Sequence, residues 1–130
     1  MDLLATAKVL AERVEAEAAR VKVPIAVSVI DVHGNLVLQH RMNDAPLFAL
    51  EISERKAYTS ALIKVRTADL LPLVQPGQDL YPLLMLGGGR FTAMGGGVPI
   101  RENGLVVAGL GVSGGAATQA DMAIVEAVVA

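Results

Sequence analysis

Lys56 is the residue whose neighbours most favour chemistry. On the helix predicted around it, the residues four positions away are Ile52 and Ser60. Its side chain therefore either extends along a covered helix to reach water or faces a polar pocket. In a pocket, desolvation would lower its pKa and make the amine a base or a nucleophile toward carbonyls. As an ammonium it would instead bind a carboxylate.

Arg41 is the second candidate catalytic residue. It stands at the end of a predicted strand, where a charge is either exposed to water or directed at a ligand. A guanidinium binds a carboxylate through two parallel hydrogen bonds. Lys56 and Arg41 together would suit a substrate that carries a carbonyl or a carboxylate group.

A glycine-rich segment supplies a possible binding surface. Eleven of the thirteen glycines lie between Gly87 and Gly115. Three consecutive glycines before a strand expose a run of N–H groups, which suits an anion or a carboxylate. No Gly-Lys-Ser/Thr follows the first glycines and no GxGxxG opens a helix, so the pattern is not that of a phosphate-binding loop. The predicted ligand-binding residues of this segment are Gly95, Gly96, Gly97 and Pro99.

The strand that follows carries two more glycines and a serine. Gly109 and Gly111 alternate with larger apolar residues, which indicates a helix lying flat against the glycine face. Ser113 sits in Gly-Val-Ser-Gly-Gly, but its strand belongs to a hairpin rather than to an α/β-hydrolase sheet. We interpret Ser113 as a pocket hydroxyl or as the cap of the next helix.

The chain has two histidines, His33 and His40, and no cysteine. A protein metal site usually requires three or four converging ligands, and two histidines seven residues apart do not supply them. We therefore predict no metal site. His33 is expected in a solvated turn.

The composition indicates one domain, residues 1–130, that is apolar for its size. Hydrophobic residues make up 53% of the chain and the mean hydropathy is +0.51, yet no apolar run approaches the roughly 18 residues of a membrane span. We expect a homo-oligomer, a dimer or larger, that buries the surplus apolar surface. The net charge of −2 and the four aromatic residues argue against nucleic acid as a partner. Without a recognisable signal peptide, the expected location is the cytoplasm, with no membrane partner.

Periodicity and turn residues place the elements. Apolar residues at spacings of three and four mark helices, short apolar runs mark strands, and Asn103-Gly104 is a strong hairpin signal. The patterns predict helices at 2–22, 47–65 and 120–129, a short helix at 67–73, and strands at 25–30, 36–42, 91–94, 98–100 and 105–112. This order gives an α+β sandwich, in which an antiparallel sheet of about five strands carries helices mostly on one side.

Six motifs in this order resemble the GlcG/HbpS-like family, whose members are also described as haem-degrading or PduO C-terminal-like domains. The resemblance covers nearly the whole chain and implies a profilin-like or roadblock-like sandwich that associates into dimers or larger assemblies. It also adds Met42 and Thr59, which lie in its motifs, to the predicted ligand-binding residues. The motifs are Val29-Ile30-Asp31-x-x-Gly34-x-Leu36, Arg41-Met42-x-x-Ala45, Lys56-Ala57-Tyr58-Thr59, Gly96-Gly97-Val98-Pro99-Ile100, Gly109-Leu110-Gly111-Val112-Ser113-Gly114 and Gln119-x-Asp121.

The resemblance also makes haem a possible cofactor. Several members of the family bind haem, some are linked to its degradation, and others accompany glycolate, diol or corrinoid metabolism. Haem iron accepts axial ligands from His, Tyr or Met. No motif in this sequence selects the axial residue, and His33 and His40 are named as candidates. The residues of these types that the chain offers are His33, His40, Tyr58, Tyr81, Met42, Met85 and Met94.

Three functions follow as hypotheses. The first is an accessory protein of a catabolic pathway that binds haem or another small molecule. The second is a small enzyme that uses Lys56 and Arg41 on a carbonyl or carboxylate metabolite, or that degrades haem. The third is a structural oligomerisation domain.

Overall fold

The computed structural model describes residues 1–129, and its elements follow the predicted order. The chain forms four α-helices and four strands. Two short 3-10 segments, at Leu71–Leu73 and Tyr81–Gly88, lie between the third helix and the third strand. The helices are α1 (Leu3–Val21), α2 (Ala49–Ile63), α3 (Thr67–Leu70) and α4 (Thr118–Val129). The strands are β1 (Ala26–Asp31), β2 (Leu36–Arg41), β3 (Gly97–Glu102) and β4 (Leu105–Ser113).

The strands form one antiparallel sheet in the order β2-β1-β4-β3. Helix α2 packs on one face, while α1 and α4 pack on the other. The central strand β1 is buried on both faces: Val27 and Val29 join the core under α1 and α4, and Ile30 joins the core under α2. The predicted α+β sandwich is therefore confirmed, with the long helices divided between the faces rather than gathered mostly on one side.

One of the five predicted strands, that at 91–94, does not form. Its residues run as a loop, in which the Thr92 N–H donates to Thr59 Oγ1 at 2.9 Å instead of to a neighbouring strand. Phe91 packs on Tyr58, with ring centroids 5.2 Å apart. Phe91 thus packs against α2 and Ala93 is buried with Leu70 and Val74, while Met94 is exposed.

Local capping and turn signals are borne out. Asp2 Oδ1 accepts a hydrogen bond from Ala5 N at 3.1 Å and caps α1, as Asp does at a helix N-terminus. Asn103 and Gly104 have φ of 53° and 80° and form the predicted tight turn between β3 and β4. None of the helices within residues 1–129 combines the length and the apolar character needed to cross a membrane.

The glycine face of β4 is where α2 touches the sheet. A Cβ added at Gly111 would lie 2.6 Å from Ala57 N, and one added at Gly109 would lie 2.6 Å from Ala61 N. Such distances are far below van der Waals contact, so the helix axis is close only because β4 has no side chains there. The packing role predicted for these two glycines is confirmed.

We predict that Gly111→Ala destabilises the fold by at least about 3 kcal/mol, the upper end of the usual cost of overpacking. The added methyl would meet the α2 backbone, which no rotamer change can move aside. Gly77→Ala is the control, because Gly77 has φ of 90° with open space around it and should cost only the backbone strain of about 1–2 kcal/mol. Urea denaturation of both variants measures the difference, and equal losses would contradict the packing role.

Candidate functional site

Lys56 lies at the centre of the predicted site, with its side chain wholly enclosed. It projects from α2 and is 0% exposed. Its Nζ donates to Val112 O at 2.8 Å and to Asp121 Oδ2 at 3.0 Å. In this conformation the ammonium binds groups of the protein itself.

Asp121 connects the ion pair to a third segment. Its second oxygen, Oδ1, accepts a hydrogen bond from Gly115 N at 2.8 Å, which fixes the loop between β4 and α4. Because α2 and α4 lie on opposite faces of the sheet, the Lys56–Asp121 pair joins the two helical layers past the end of β4. The position of Asp121 in the first turn of α4 also suits the helix dipole.

Burial lowers the pKa of Lys56 below its ordinary value, while the charge and the hydrogen bond of Asp121 oppose that change. Desolvation is thus the larger influence on this amine. A lowered pKa is the property required of a lysine base or nucleophile. The geometry gives no solvent access to the amine, so a catalytic role for Lys56 would require the surrounding segments to open.

The predicted glycine loop packs directly against this ion pair. A Cβ added at Gly96, where φ is 122°, would lie 2.9 Å from Lys56 Nζ and 3.0 Å from Asp121 Cβ. At Gly95 an added Cβ would overlap the Met122 side chain. The space beside these two glycines is therefore filled by the protein's own atoms.

Gly97 is enclosed in the same way. Its N–H donates to Thr67 Oγ1 at 2.9 Å, and an added Cβ would lie 3.0 Å from Ser60 Oγ. The Ser60 hydroxyl is buried and has no hydrogen-bond partner among the described residues. The N–H group of Gly97 is thus already satisfied and is not free for an anion.

Arg41 and Ser113 lie at the same end of the sheet as the lysine. The register pairs Arg41 with Ala26 and Ala26 with Ser113, so the three residues line up across β2, β1 and β4. Ser113 is buried and follows the carbonyl that accepts from Lys56. Arg41 is exposed, and its Nη1 donates to Ala45 O at 3.0 Å in the loop after β2.

The two residues added by the family motifs have structural partners. Thr59 is buried, its Oγ1 donates to Arg55 O at 2.8 Å, and it also accepts from Thr92 N. Met42 is half-buried against the core under α1 and α4. Neither side chain lines the large grooves of the surface.

Both histidines are exposed and lie apart from the lysine. His33 is in the turn between β1 and β2, and His40 on β2 has its Nδ1 2.6 Å from Glu15 Oε1 on α1. Within residues 1–129, no three His, Cys, Asp or Glu side chains converge as a metal site would require.

A groove of about 530 Å³ opens beside the glycine loop, between the segment after α2 and the start of α4. We call it the apolar groove. The polar residues that line it are Gln75, Thr92, Thr118 and Gln119. The residues that give it its character are Leu71, Val74, Leu84, Met94, Gly95 and Met122.

Of the residues that line the apolar groove, the sequence indicated Gly95 as a ligand-binding residue and Met94 as one of several possible axial ligands. The signal that the sequence offered for this groove was the scarcity of charged residues between Leu70 and Ile100. That stretch contains Met94, but Met122 lies outside it. Pro99, also predicted to contact a ligand, lies instead on the edge strand β3 and lines a second groove of about 540 Å³. The predicted ligand-binding residues thus do not form one site: Gly95 and Pro99 line different grooves, Gly96 packs on the buried ion pair, and Met42 and Thr59 line neither groove.

We predict that Lys56→Met destabilises the protein by about 3–5 kcal/mol, the usual cost of leaving one charge of a buried pair without its partner. Lys56→Met/Asp121→Asn should recover much of that loss, because the amide is neutral and can still accept from Gly115 N. Denaturant titrations of the single and double variants measure both effects. A loss below about 1 kcal/mol for Lys56→Met, the scale of a surface ion pair, would show that the pair does not hold the layers together.

Comparison with known proteins identifies the family. The profile of the family described as "Haem degrading protein HbpS-like" matches residues 3–130. A 15.0 kDa protein in the dhaT-dhaS intergenic region of Citrobacter freundii is 42% identical over 116 residues, which cover 89% of this chain and 82% of that protein.

Two further matches involve PduO proteins. The corrinoid adenosyltransferase PduO of Salmonella typhimurium is 38% identical over 113 residues, which are 87% of this chain but only 33% of that enzyme. The crystal structure of a PduOC:heme complex superposes with a TM-score of 0.86 at 36% identity, covering 92% of this chain and 86% of that one. With a family match over almost its full length and relatives above 30% identity, the chain belongs to the HbpS-like family.

Proposed function

We propose that this chain is an accessory protein of a catabolic pathway that binds a small molecule, with haem as the leading ligand, in the apolar groove. The observation that carries the proposal is the groove itself. Its volume of about 530 Å³ lies within the range of roughly 300–1,000 Å³ that is usual for ligand sites. It is lined mainly by apolar side chains, with a few amide and hydroxyl groups that could orient a ligand.

Haem is favoured by the family and by the chemistry of the groove. The PduOC relative has been crystallised as a haem complex. In this chain the groove combines apolar walls with two thioethers, those of Met94 and Met122. Methionine is an established axial ligand of haem iron. The residues present therefore fit a tetrapyrrole with Met94 or Met122 as the iron ligand.

When bound, haem would supply a redox-active iron whose reactivity depends on its axial ligand and on the polarity around it. The protein's part would be to exclude water with Leu71, Val74 and Leu84 and to present a sulfur. His33 and His40 remain alternative axial ligands. Because both are exposed and outside the groove, either one would hold haem at the open surface or between two copies of the chain.

We predict that the protein shifts the Soret band of added haemin and that the shift saturates at one equivalent. Met94→Leu/Met122→Leu should change the position of the band of the complex and weaken binding by about tenfold or more, or about 1.4 kcal/mol. Leucine preserves the apolar volume but removes the sulfur. Absorption titrations of the double variant and of each single variant identify which methionine is involved.

Met42→Leu is the matched control, because that thioether packs at the core and not in the groove. It should leave the band unchanged. If His33→Ala or His40→Ala abolishes the band while the methionine variants do not, the iron is held by histidine and the groove assignment is wrong. If the wild-type protein leaves the Soret band of haemin unchanged from that of free haemin, haem is not the ligand.

The enzyme alternative depends on Lys56 and Arg41, and the enclosed amine gives it less support. A substrate could reach Lys56 only if the Gly95–Gly97 segment moved away from the Lys56–Asp121 pair. Turnover of a carbonyl or carboxylate metabolite that is lost on Lys56→Met/Asp121→Asn, in a variant that stays folded, would favour this alternative over simple binding.

We also propose that the chain forms a homo-oligomer. Exposed apolar side chains are concentrated in and near the 3-10 segments, at Leu71, Leu73, Leu80, Tyr81, Met85 and Leu86. Apolar surface exposed in quantity on one part of a protein often marks an interface. The segment from 70 to 89 contains a single charged residue, Asp79, so little opposes its burial against another copy.

We predict that equilibrium sedimentation at micromolar concentration gives a dimer or a larger species. Met85→Glu/Leu86→Glu should shift it toward the monomer, because both side chains would be buried in the interface and charges there are costly. Leu105→Glu is the control, since Leu105 is 72% exposed but lies in the β3–β4 hairpin. A monomeric wild-type protein would contradict the proposal.

A further inference from the structure

The second large groove of the surface has a chemistry different from that of the apolar groove. It lies between the N-terminal half of α1, the edge strand β3 and the end of α4, and has a volume of about 540 Å³. We call it the arginine groove, because Arg13, Arg66 and Arg101 line it. The three guanidinium groups come from three separate parts of the chain.

The floor of the arginine groove is apolar. Val98 and Ile100 on β3 are 3% and 7% exposed, and Leu10 and Val128 flank them. Pro99 lies between the two β3 residues and has no N–H group to donate to an added strand. Proline on an edge strand discourages strand pairing, so this wall suits a small molecule better than an extended peptide.

The charges around this floor are mostly positive. Among the described residues that line the groove, Glu126 is the one carboxylate, and Arg66 engages it with Nε 2.7 Å from Oε1. Arg66 also contacts Asp69 at 3.4 Å. Arg13 and Arg101 form no ion pair with any other residue in 1–129 and are exposed. This positive groove is set in a chain whose net charge is −2.

We propose that the arginine groove binds a small amphipathic carboxylate, with its aliphatic part on the Val98–Ile100 floor and its carboxylate held by Arg13 and Arg101. Guanidinium groups match the geometry of a carboxylate through paired hydrogen bonds. The apolar floor accounts for an aliphatic tail, which an inorganic anion lacks. The site is separate from the apolar groove and does not depend on haem binding.

The test uses octanoate as the probe, with titration calorimetry on the full chain. Octanoate should bind, and octanol, which has the same tail but no charge, should bind at least about tenfold more weakly, as expected for losing hydrogen bonds to a charged group. Arg13→Gln and Arg101→Gln should each weaken octanoate binding by about tenfold. Arg20→Gln is the matched control: Arg20 is on the same helix, two turns away, and pairs with Glu17 outside this groove.

Glu126→Gln distinguishes ligand binding in the groove from a purely structural role of its arginines, because only ligand binding predicts a gain in affinity. It removes the competing carboxylate and frees Arg66, so octanoate should bind more tightly than to the wild type. Equal binding of octanol and octanoate would mean that the floor acts alone, and it would overturn the proposal. Inorganic phosphate that displaces octanoate and binds as tightly would overturn the choice of a carboxylate with a tail. Absence of octanoate binding, or equal losses in Arg20→Gln and Arg13→Gln, would also overturn it.

Discussion

The ion pair between Lys56 and Asp121 is the interaction on which the arrangement of this protein depends. It lies where β4 ends, between a helix on one face of the sheet and a helix on the other, and its atoms are fully enclosed. A buried ammonium is costly unless all of its hydrogen bonds are made. Here Val112 O and Asp121 Oδ2 accept from two of the three N–H donors of the ammonium, and Gly115 N donates to the other carboxylate oxygen. The pair therefore fixes the loop between β4 and α4 and the distance between the layers.

The glycines make this enclosure possible. Gly96 allows the backbone to pass beside the ammonium, and Gly109 and Gly111 let α2 lie close enough to the sheet for Lys56 to reach the end of β4. A methyl group at any of these positions would enter atoms of α2 or of the ion pair. Gly96, Gly109 and Gly111 thus serve close packing in and around one buried charge, whereas a Cβ added at Gly88 or Gly104 would meet open space.

The two grooves lie at opposite ends of α4, and the residues of the buried ion pair line neither of them. The enclosed pair and the sheet hold α4 in place, and the start of α4 forms one wall of the apolar groove while its end forms one wall of the arginine groove. One groove offers thioethers and apolar surface, and the other offers guanidinium groups over an apolar floor. Under the two proposals, ligands of different chemistry would bind at opposite ends of this one helix.

The sequence alone determined the features that depend on neighbouring residues. These include the cap of α1 at Asp2, the Asn103-Gly104 turn, the buried strand β1 and the glycine face of β4, because hydrogen bonds of caps and turns and the period of two in a strand are local. Only the tertiary structure decided the rest. It left 91–94 as a loop, since Thr59 satisfies Thr92 N across 33 residues. It also paired Lys56 with Asp121, 65 positions away, and a contact of that range is set by how the layers pack.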